Sequence, residues 1–305
     1  MRTYVLGTRG SPLALCQARM VQTLLEERAP GCSIELKTLK AQADQNPELP
    51  LAAMGGEGVF VKELEAALLE RRVDFAVHSL KDVPLETPAG LRIAAVLARE
   101  EPRDALISRE GQGFEALPQG ARIGTSSARR GSQLLHHRPD LTMLEIRGNV
   151  DTRLRKLQEG RYDAIVVAAC GLIRLGLKAR ITELFALSVM LPEPGQGALA
   201  IEARADDREV LELVRRLEDP ISRACVEAER ACLKALGGGC RVPIAAFGEE
   251  SQGVLRLHAA VLSLDGRQRI EAQGTGQITE PARLGQDVAA RLAKGGAAAV
   301  LASTR

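Results

Sequence analysis

The chain has 305 residues, 45% of them apolar, with no Trp, two Tyr, five Phe and a net charge of +2. That length accommodates two or three domains with largely aliphatic cores. So few aromatic rings disfavour a binder of single-stranded nucleic acid, which stacks bases on them, and no apolar run approaches the roughly 18 residues of a membrane span.

Residues 3–8 have a strand pattern directly behind the initial Met, where a secretory signal would otherwise stand. The loop Arg9-Gly10-Ser11-Pro12 follows, then a helix over about 13–28 with Leu13, Gln17, Val21 and Leu24 at helical spacing. Residues 33–40 alternate as a strand. Residues 41–58 form a long, patternless stretch rich in Gly and Pro, of the kind that is either a lid or disordered. A helix over 60–72 and a short buried strand over 74–78 lead into Ser79-Leu80-Lys81-Asp82. The middle of the chain repeats this grammar: strands at 122–125, 142–146 and 163–168, helices starting after Ser127 and over 151–159. A strand at 197–202 precedes helices at about 207–217 and 221–236. Two strands at 254–262 and 268–274 and a helix over 282–294 complete the pattern. The first two thirds are βαβ-like and predict mostly parallel sheets; the last third predicts a small α+β domain.

Charge is unevenly spread. Residues 122–180 carry ten Arg and two Lys against five acids, a net of +7, which leaves −5 for the rest of the chain. Ligands of open α/β sheets bind at the C-terminal ends of strands, near helix N-termini. Polar clusters recur at those positions: Arg9 and Ser11 after the first strand, Lys81 and Asp82 after the strand at 74–78, and Thr125, Ser126, Ser127, Arg129 and Arg130 after the strand at 122–125. Arg147 and Arg153 follow the next strand. Hydroxyls and paired guanidiniums suit carboxylates or phosphates, the Arg fork matching two oxygens at once. Each cluster alone reads more readily as a solvated helix face or turn than as a site; their recurrence after successive strands points to an anion site. Asp82, an acid between a lysine and a loop proline, stays ionised among cations and can stabilise a developing positive charge.

Cys240 stands in Gly237-Gly238-Gly239-Cys240-Arg241-Val242-Pro243, a glycine-rich loop with an arginine that favours the thiolate. The other cysteines, Cys16, Cys32, Cys170, Cys225 and Cys232, form neither CxxC nor a framework spacing, so free thiols in a reducing cytosol are expected. Four His show no ligand pattern, and no metal site is expected. Walker A, HExxH and GxSxG patterns are absent from the sequence.

Seven ordered motifs then carry a resemblance: Gly7-Thr8-Arg9-Gly10-Ser11-Pro12-Leu13-Ala14, Phe60-Val61-Lys62-Glu63-Leu64-Glu65, His78-Ser79-Leu80-Lys81-Asp82-Val83-Pro84, Gly124-Thr125-Ser126-Ser127, Arg147-Gly148-Asn149-Val150, Pro194-Gly195-Gln196-Gly197 and Gly238-Gly239-Cys240-Arg241-Val242-Pro243. Through them the chain resembles the porphobilinogen deaminase (hydroxymethylbilane synthase) family nearly end to end. The resemblance implies a cytoplasmic, monomeric transferase of tetrapyrrole and heme biosynthesis, with no nucleic-acid or membrane partner. Such enzymes join four porphobilinogen molecules head to tail with release of ammonia, then free hydroxymethylbilane by hydrolysis. It implies a dipyrromethane cofactor on a thioether to Cys240, and Asp82 as the catalytic acid that stabilises the azafulvenium cation. Arg9, Ser11, Lys81, Ser127, Arg129, Arg130, Arg147 and Arg153 match residues that hold carboxylates. Phe60, Gln17 and Arg174 match further site positions, and Glu57 stands where the family often has Lys. The implied fold is α/β with three domains: the first two resemble type II periplasmic binding proteins, with mixed sheets and a cleft between them. The third is a small α+β domain carrying the cofactor cysteine. The expected bounds are 1–97 with 196–216, 98–195, and 217–305. A non-catalytic small-anion-binding protein of periplasmic-receptor fold is the alternative; it would need neither Cys240 nor Asp82.

Overall fold

The computed structural model describes residues 2–39, 61–238 and 242–303. Phe60, Glu57, Cys240 and the patternless stretch at 41–58 lie outside the described residues. The chain divides into two compact units, Met1–Glu100 with Ala198–Arg223, and Glu101–Gly197 with Ala224–Arg305.

The first unit opens with β1 (Arg2–Arg9), α1 (Pro12–Arg28), β2 (Cys32–Leu39), α2 (Lys62–Leu69), β3 (Phe75–Ser79) and β4 (Leu91–Val96). In the second unit come β5 (Asp104–Ser108), β6 (Arg122–Gly124), α3 (Ala128–His137), β7 (Thr142–Leu144), α4 (Val150–Gln158), β8 (Ala164–Ala168), α5 (Ala169–Arg174) and β9 (Glu183–Leu184). The chain returns to the first unit with β10 (Leu199–Arg204) and α6 (Arg208–Val214), and α7 (Pro220–Ala235) follows. The C-terminal part of the second unit is a meander, β11 (Ile244–Ser251), β12 (Val254–Leu262) and β13 (Arg269–Gln277), covered by α8 (Pro281–Lys294) and α9 (Ala297–Ala302).

The expectation of mostly parallel sheets needs correction. The first sheet has the order β2-β1-β3-β10-β4 and the second β7-β6-β8-β5-β9. In each, the first two pairings are parallel and the last two antiparallel. The βαβ grammar describes only the parallel halves. β10 and β5 enter from distant parts of the chain with reversed direction, which local periodicity does not record. The mixed sheets agree with what the family resemblance implies.

Burial explains the register. All six residues of β10 are buried, and its neighbours β3 and β4 close it in on both sides. Its one carboxylate, Glu202, meets His78 of β3 at 3.0 Å, so a buried polar pair ties the two strands together. On one face of this sheet Leu6, Val21, Leu25, Phe75, Ile201 and Val214 pack in one cluster; on the other, Leu64 and Leu68 of α2 pack with Val73. Each large aliphatic side chain removed from water stabilises by about 1.5–3 kcal/mol. In the second unit Phe114 and Phe185 meet edge to face at 5.4 Å within the core beneath α3. α2 is shorter than the expected helix over 60–72: Arg71, at φ 56, leaves the right-handed region just beyond it.

The caps set the helices that start at strand ends. Ser11 accepts from the Ala14 N–H at 3.3 Å, Ser127 from that of Arg130 at 3.4 Å, and Asn149 from that of Thr152 at 2.9 Å. Between β7 and α4, Gly148 has φ +106, and a Cβ there would lie 2.6 Å from Thr152 Cγ2. Gly148→Ala is expected to cost about 1–3 kcal/mol of stability and to displace the neighbouring Arg147. A denaturation midpoint equal to that of the wild type would show that the loop tolerates a side chain after all.

Candidate active site

In the first unit the parallel pairing of β1 with β3 puts the C-terminal ends of both strands at one edge of the sheet. Arg9 ends β1 there, and Ser11 caps α1 just beyond it. Thr8 Oγ1 donates to the Ala14 carbonyl at 3.1 Å, drawing the strand end onto the first turn of the helix. Gln17, buried on α1, donates through Nε2 to Ser79 Oγ at 2.9 Å, and so joins α1 to the end of β3. The chain then turns through a single 3₁₀ turn, Leu80–Asp82, anchored where the Leu80 N–H donates to the Ala198 carbonyl at 3.0 Å. Leu80 is buried, while Lys81 and Asp82 are half-buried at the sheet edge. Asp82 therefore stands on a short turn fixed from both sides.

In the second unit β6, β7 and β8 are parallel, so their C-terminal ends share an edge. Thr125, Ser126 and Ser127 follow β6; Arg147 follows β7; Arg153 lies on α4; Arg174 ends α5, which continues directly from β8. Their hydroxyls serve the loop itself. Thr125 Oγ1 accepts from the Ser127 N–H at 3.2 Å, and Ser126 Oγ both donates to the Ile146 carbonyl at 2.7 Å and accepts from its N–H at 3.1 Å. Arg174 Nη2 donates to the Gly197 carbonyl at 2.8 Å, and Arg153 Nε to that of Gly148 at 2.8 Å. Arg147 is salt-bridged to the exposed Glu145 at 2.6 Å, a surface pair of small energetic weight.

Arg129 and Arg130, expected to hold ligand carboxylates, have a protein carboxylate as partner. Both are buried, and both are bound to Asp104, which has no exposed surface. Arg129 Nη1 donates to Asp104 Oδ2 at 2.7 Å and to the Leu191 carbonyl at 2.8 Å. Arg130 Nε donates to Asp104 Oδ1 at 2.9 Å. Gln196 completes the group, donating to the Pro102 carbonyl at 2.7 Å and accepting from Arg130 Nη2 at 3.4 Å. Asp104 opens β5, which runs antiparallel to β8 with Asp104 opposite Ala168; that register carries the acid to the edge where the parallel strands end. Gln196 lay within a motif already singled out but had no assigned role. The signal for Asp104 was an acid starting a short apolar run, a position where burial demands a partner.

One carboxylate between two guanidiniums leaves a surplus of positive charge. The Nε and Nη2 of Arg129 are buried with no hydrogen-bond partner among the described residues. Arg153 carries the mark of that surplus: burial, then the like charges of Arg130 and Arg147, push its guanidinium down to about 10. Crowded, partly desolvated cations have the chemistry to hold carboxylates. An acidic oligopyrrole such as a dipyrromethane with acetate and propionate arms fits this donor set. The cysteine Cys232 is no rival for alkylation: burial and the nearby Glu229 push its thiol up to about 12.

Two family models match the chain: "Porphobilinogen deaminase, dipyromethane cofactor binding domain" over residues 4–212 and "Porphobilinogen deaminase, C-terminal domain" over residues 223–294. The porphobilinogen deaminase of Desulforudis audaxviator is 50% identical over 304 residues, spanning 100% of this chain and 98% of that one. That of Roseiflexus castenholzii is 47% identical over 300 residues, covering 98% and 99%. Among solved structures, a nutrient binding protein from Burkholderia cenocepacia bound to methionine is 17% identical, covering 71% of this chain and 92% of that chain, with a TM-score of 0.44.

The lowered pKa of Arg153 has a consequence for stability. Between about pH 10 and the ordinary 12.5, the unfolded chain holds a proton that the folded chain has lost, so folding gains stability as pH rises through that window. At neutral pH the full cost is present. In carboxylate-free buffer, Arg153→Gln is therefore expected to melt higher than the wild type at pH 7, by on the order of 1 kcal/mol. The difference should narrow as pH passes 10, and binding of a succinate probe should weaken. A lower melting temperature for R153Q at neutral pH would contradict this account.

Proposed function

The chain belongs to the porphobilinogen deaminase family, and from that premise we propose that it has hydroxymethylbilane synthase activity: four porphobilinogen molecules are condensed head to tail, each with loss of ammonia, and the linear tetrapyrrole is released by hydrolysis. The observation that carries this reading is the arginine cluster of the second unit, crowded and partly desolvated with one buried countercharge; Asp82, on a short turn of the first unit, supplies the acid. Each porphobilinogen brings an acetate and a propionate. The growing chain is a polyanion, and only a cation-rich site holds it against its own repulsion.

The dipyrromethane group, carried on Cys240 by a thioether, supplies the pyrrole carbon from which the chain grows. The roles of this chain's own residues follow from their chemistry. Asp82 accepts hydrogen bonds from pyrrole N–H groups and stabilises the cation left when ammonia departs. Arg9, Ser11, Lys81, Ser127, Arg129, Arg130, Arg147, Arg153 and Arg174 bind the carboxylate arms, and Gln17, Thr125 and Ser126 keep the loops that present them in place. Phe60 lines the path of the growing chain. The three domains expected from the resemblance, 1–97 with 196–216, 98–195 and 217–305, divide this work, the last of them anchoring the cofactor. We place the enzyme in the cytoplasm as a monomer. A non-catalytic anion receptor is not favoured, because full-length relatives carry the deaminase name and a receptor has no use for Cys240.

Intact-mass measurement of the purified protein should reveal an adduct of two pyrrole units that is lost in Cys240→Ser. A bare mass from cells able to make porphobilinogen would count against the assignment. Asp82→Ala should keep the fold and lower turnover by about a hundredfold or more; turnover near that of the wild type would remove Asp82 from its role.

A further inference from the structure

Among the described residues Asp104 is the buried acid that meets Arg129 and Arg130, and its bonds to them are unequal. It holds Arg130 through Nε, with Nη2 in ion-pair reach at 2.8 Å, so that guanidinium is gripped side-on. It holds Arg129 through Nη1 alone, leaving Nε and Nη2 without a protein partner among the described residues. Gln196 adds a second contact to each side of the pair, donating to Asp104 Oδ1 at 3.1 Å and accepting from Arg130. The group stands at the first turn of α3, behind the Ser127 cap, where helix geometry sets adjacent side chains about 100° apart on diverging paths. Without a shared partner, two adjacent guanidiniums on a helix would separate to minimise their repulsion.

We propose that Asp104 is a positioning residue for the reaction: one buried carboxylate that locks Arg129 and Arg130 into a single two-guanidinium unit, with Arg130 Nη1 donating to the Val166 carbonyl at 3.4 Å, and so sets the place and net charge that this unit presents to the carboxylates of the pyrrole chain. This rests on the reading of the arginine cluster as the anion site. Asp104 does not touch substrate in this scheme. It acts through the arginines, by orientation and by cancelling one of their two charges, so that the unit attracts a carboxylate without being driven apart before one arrives.

A structural ion pair elsewhere in the same sheet provides the comparison. At the start of β6, Asp163 accepts from Arg122 Nε at 3.1 Å, from its Nη2 at 2.9 Å and from its backbone N–H at 2.8 Å. That pair has similar chemistry and lies at the opposite edge from the strand ends that bear the site. The experiment compares Asp104→Asn and Asp163→Asn in the full-length protein with three readouts: melting temperature, the fraction carrying the cofactor by intact mass, and KM and kcat for porphobilinogen. Both variants should melt lower. Only Asp104→Asn should also carry less cofactor and raise KM, by about tenfold or more, since misplaced binding groups lose rate steeply. A folded Asp104→Asn with cofactor content and KM equal to those of Asp163→Asn would overturn the proposal and leave Asp104 a stabilising residue only. If Asp104→Asn does not fold, Asp104→Glu keeps the charge and shifts the carboxylate by one methylene; a raised KM supports positioning, and a wild-type KM with full cofactor overturns it. Wild-type protein that fails to turn over porphobilinogen would instead overturn the functional reading, a result seen before any variant is compared.

Discussion

Several arginines gathered in one partly desolvated place repel one another, and a folded chain tolerates that only where geometry holds them and some countercharge stands close. The fold meets this constraint with a single acid. Asp104 is fully buried and bound to two guanidiniums, while burial, and after it the like charges of Arg130 and Arg147, depress the pKa of Arg153. The topology of the second unit follows from the same requirement. Its strands β6, β7 and β8 present loops at one edge, and only a strand running antiparallel to them begins at that edge. β5 does so, and its first residue is the acid.

The first unit solves a different problem by a similar arrangement. It holds a carboxylate, Asp82, at the edge where its parallel strands end. Asp82 sits on a turn one residue beyond the last contact between β3 and β10. Gln17 fixes the preceding Ser79, and the Ala198 carbonyl fixes Leu80. The polar side chains that read from sequence as ligand hydroxyls are in large part the rigging of these loops. Ser11, Ser127 and Asn149 cap helices, and Ser126 is bonded twice to the backbone of Ile146. Preorganisation of this kind costs nothing at the moment of binding, because the ordering was done on folding.

Much of this was legible before any coordinates. Polar clusters behind apolar strands marked the edges where ligands bind, since the C-terminal ends of parallel strands are the places where a chain can turn into a helix cap. The family motifs then tied those clusters to a chemistry. What stayed hidden was long-range. β4, β5 and β11 carry no strong local signal, and the reversed direction of β10 depends on a partner more than a hundred residues away in sequence. Arg129 and Arg130 looked like a pair awaiting an anion because their partner is 25 residues upstream. Asp104 was not singled out, because acids are rarely buried and the signal for this one, an acid opening a short apolar run, is weak without its partners.

The placement of β10 bears on how the protein is made. An interior strand of the first sheet is encoded after residues 101–197, which belong to the other unit. While the ribosome is still making that intervening stretch, β3 and β4 have an unfilled gap between them, with buried faces and open backbone groups exposed on both sides. The N-terminal unit, though synthesised first, cannot close first. Its folding waits on a loop closure spanning roughly a hundred residues, a high-contact-order step that is slow and prone to association while it lasts.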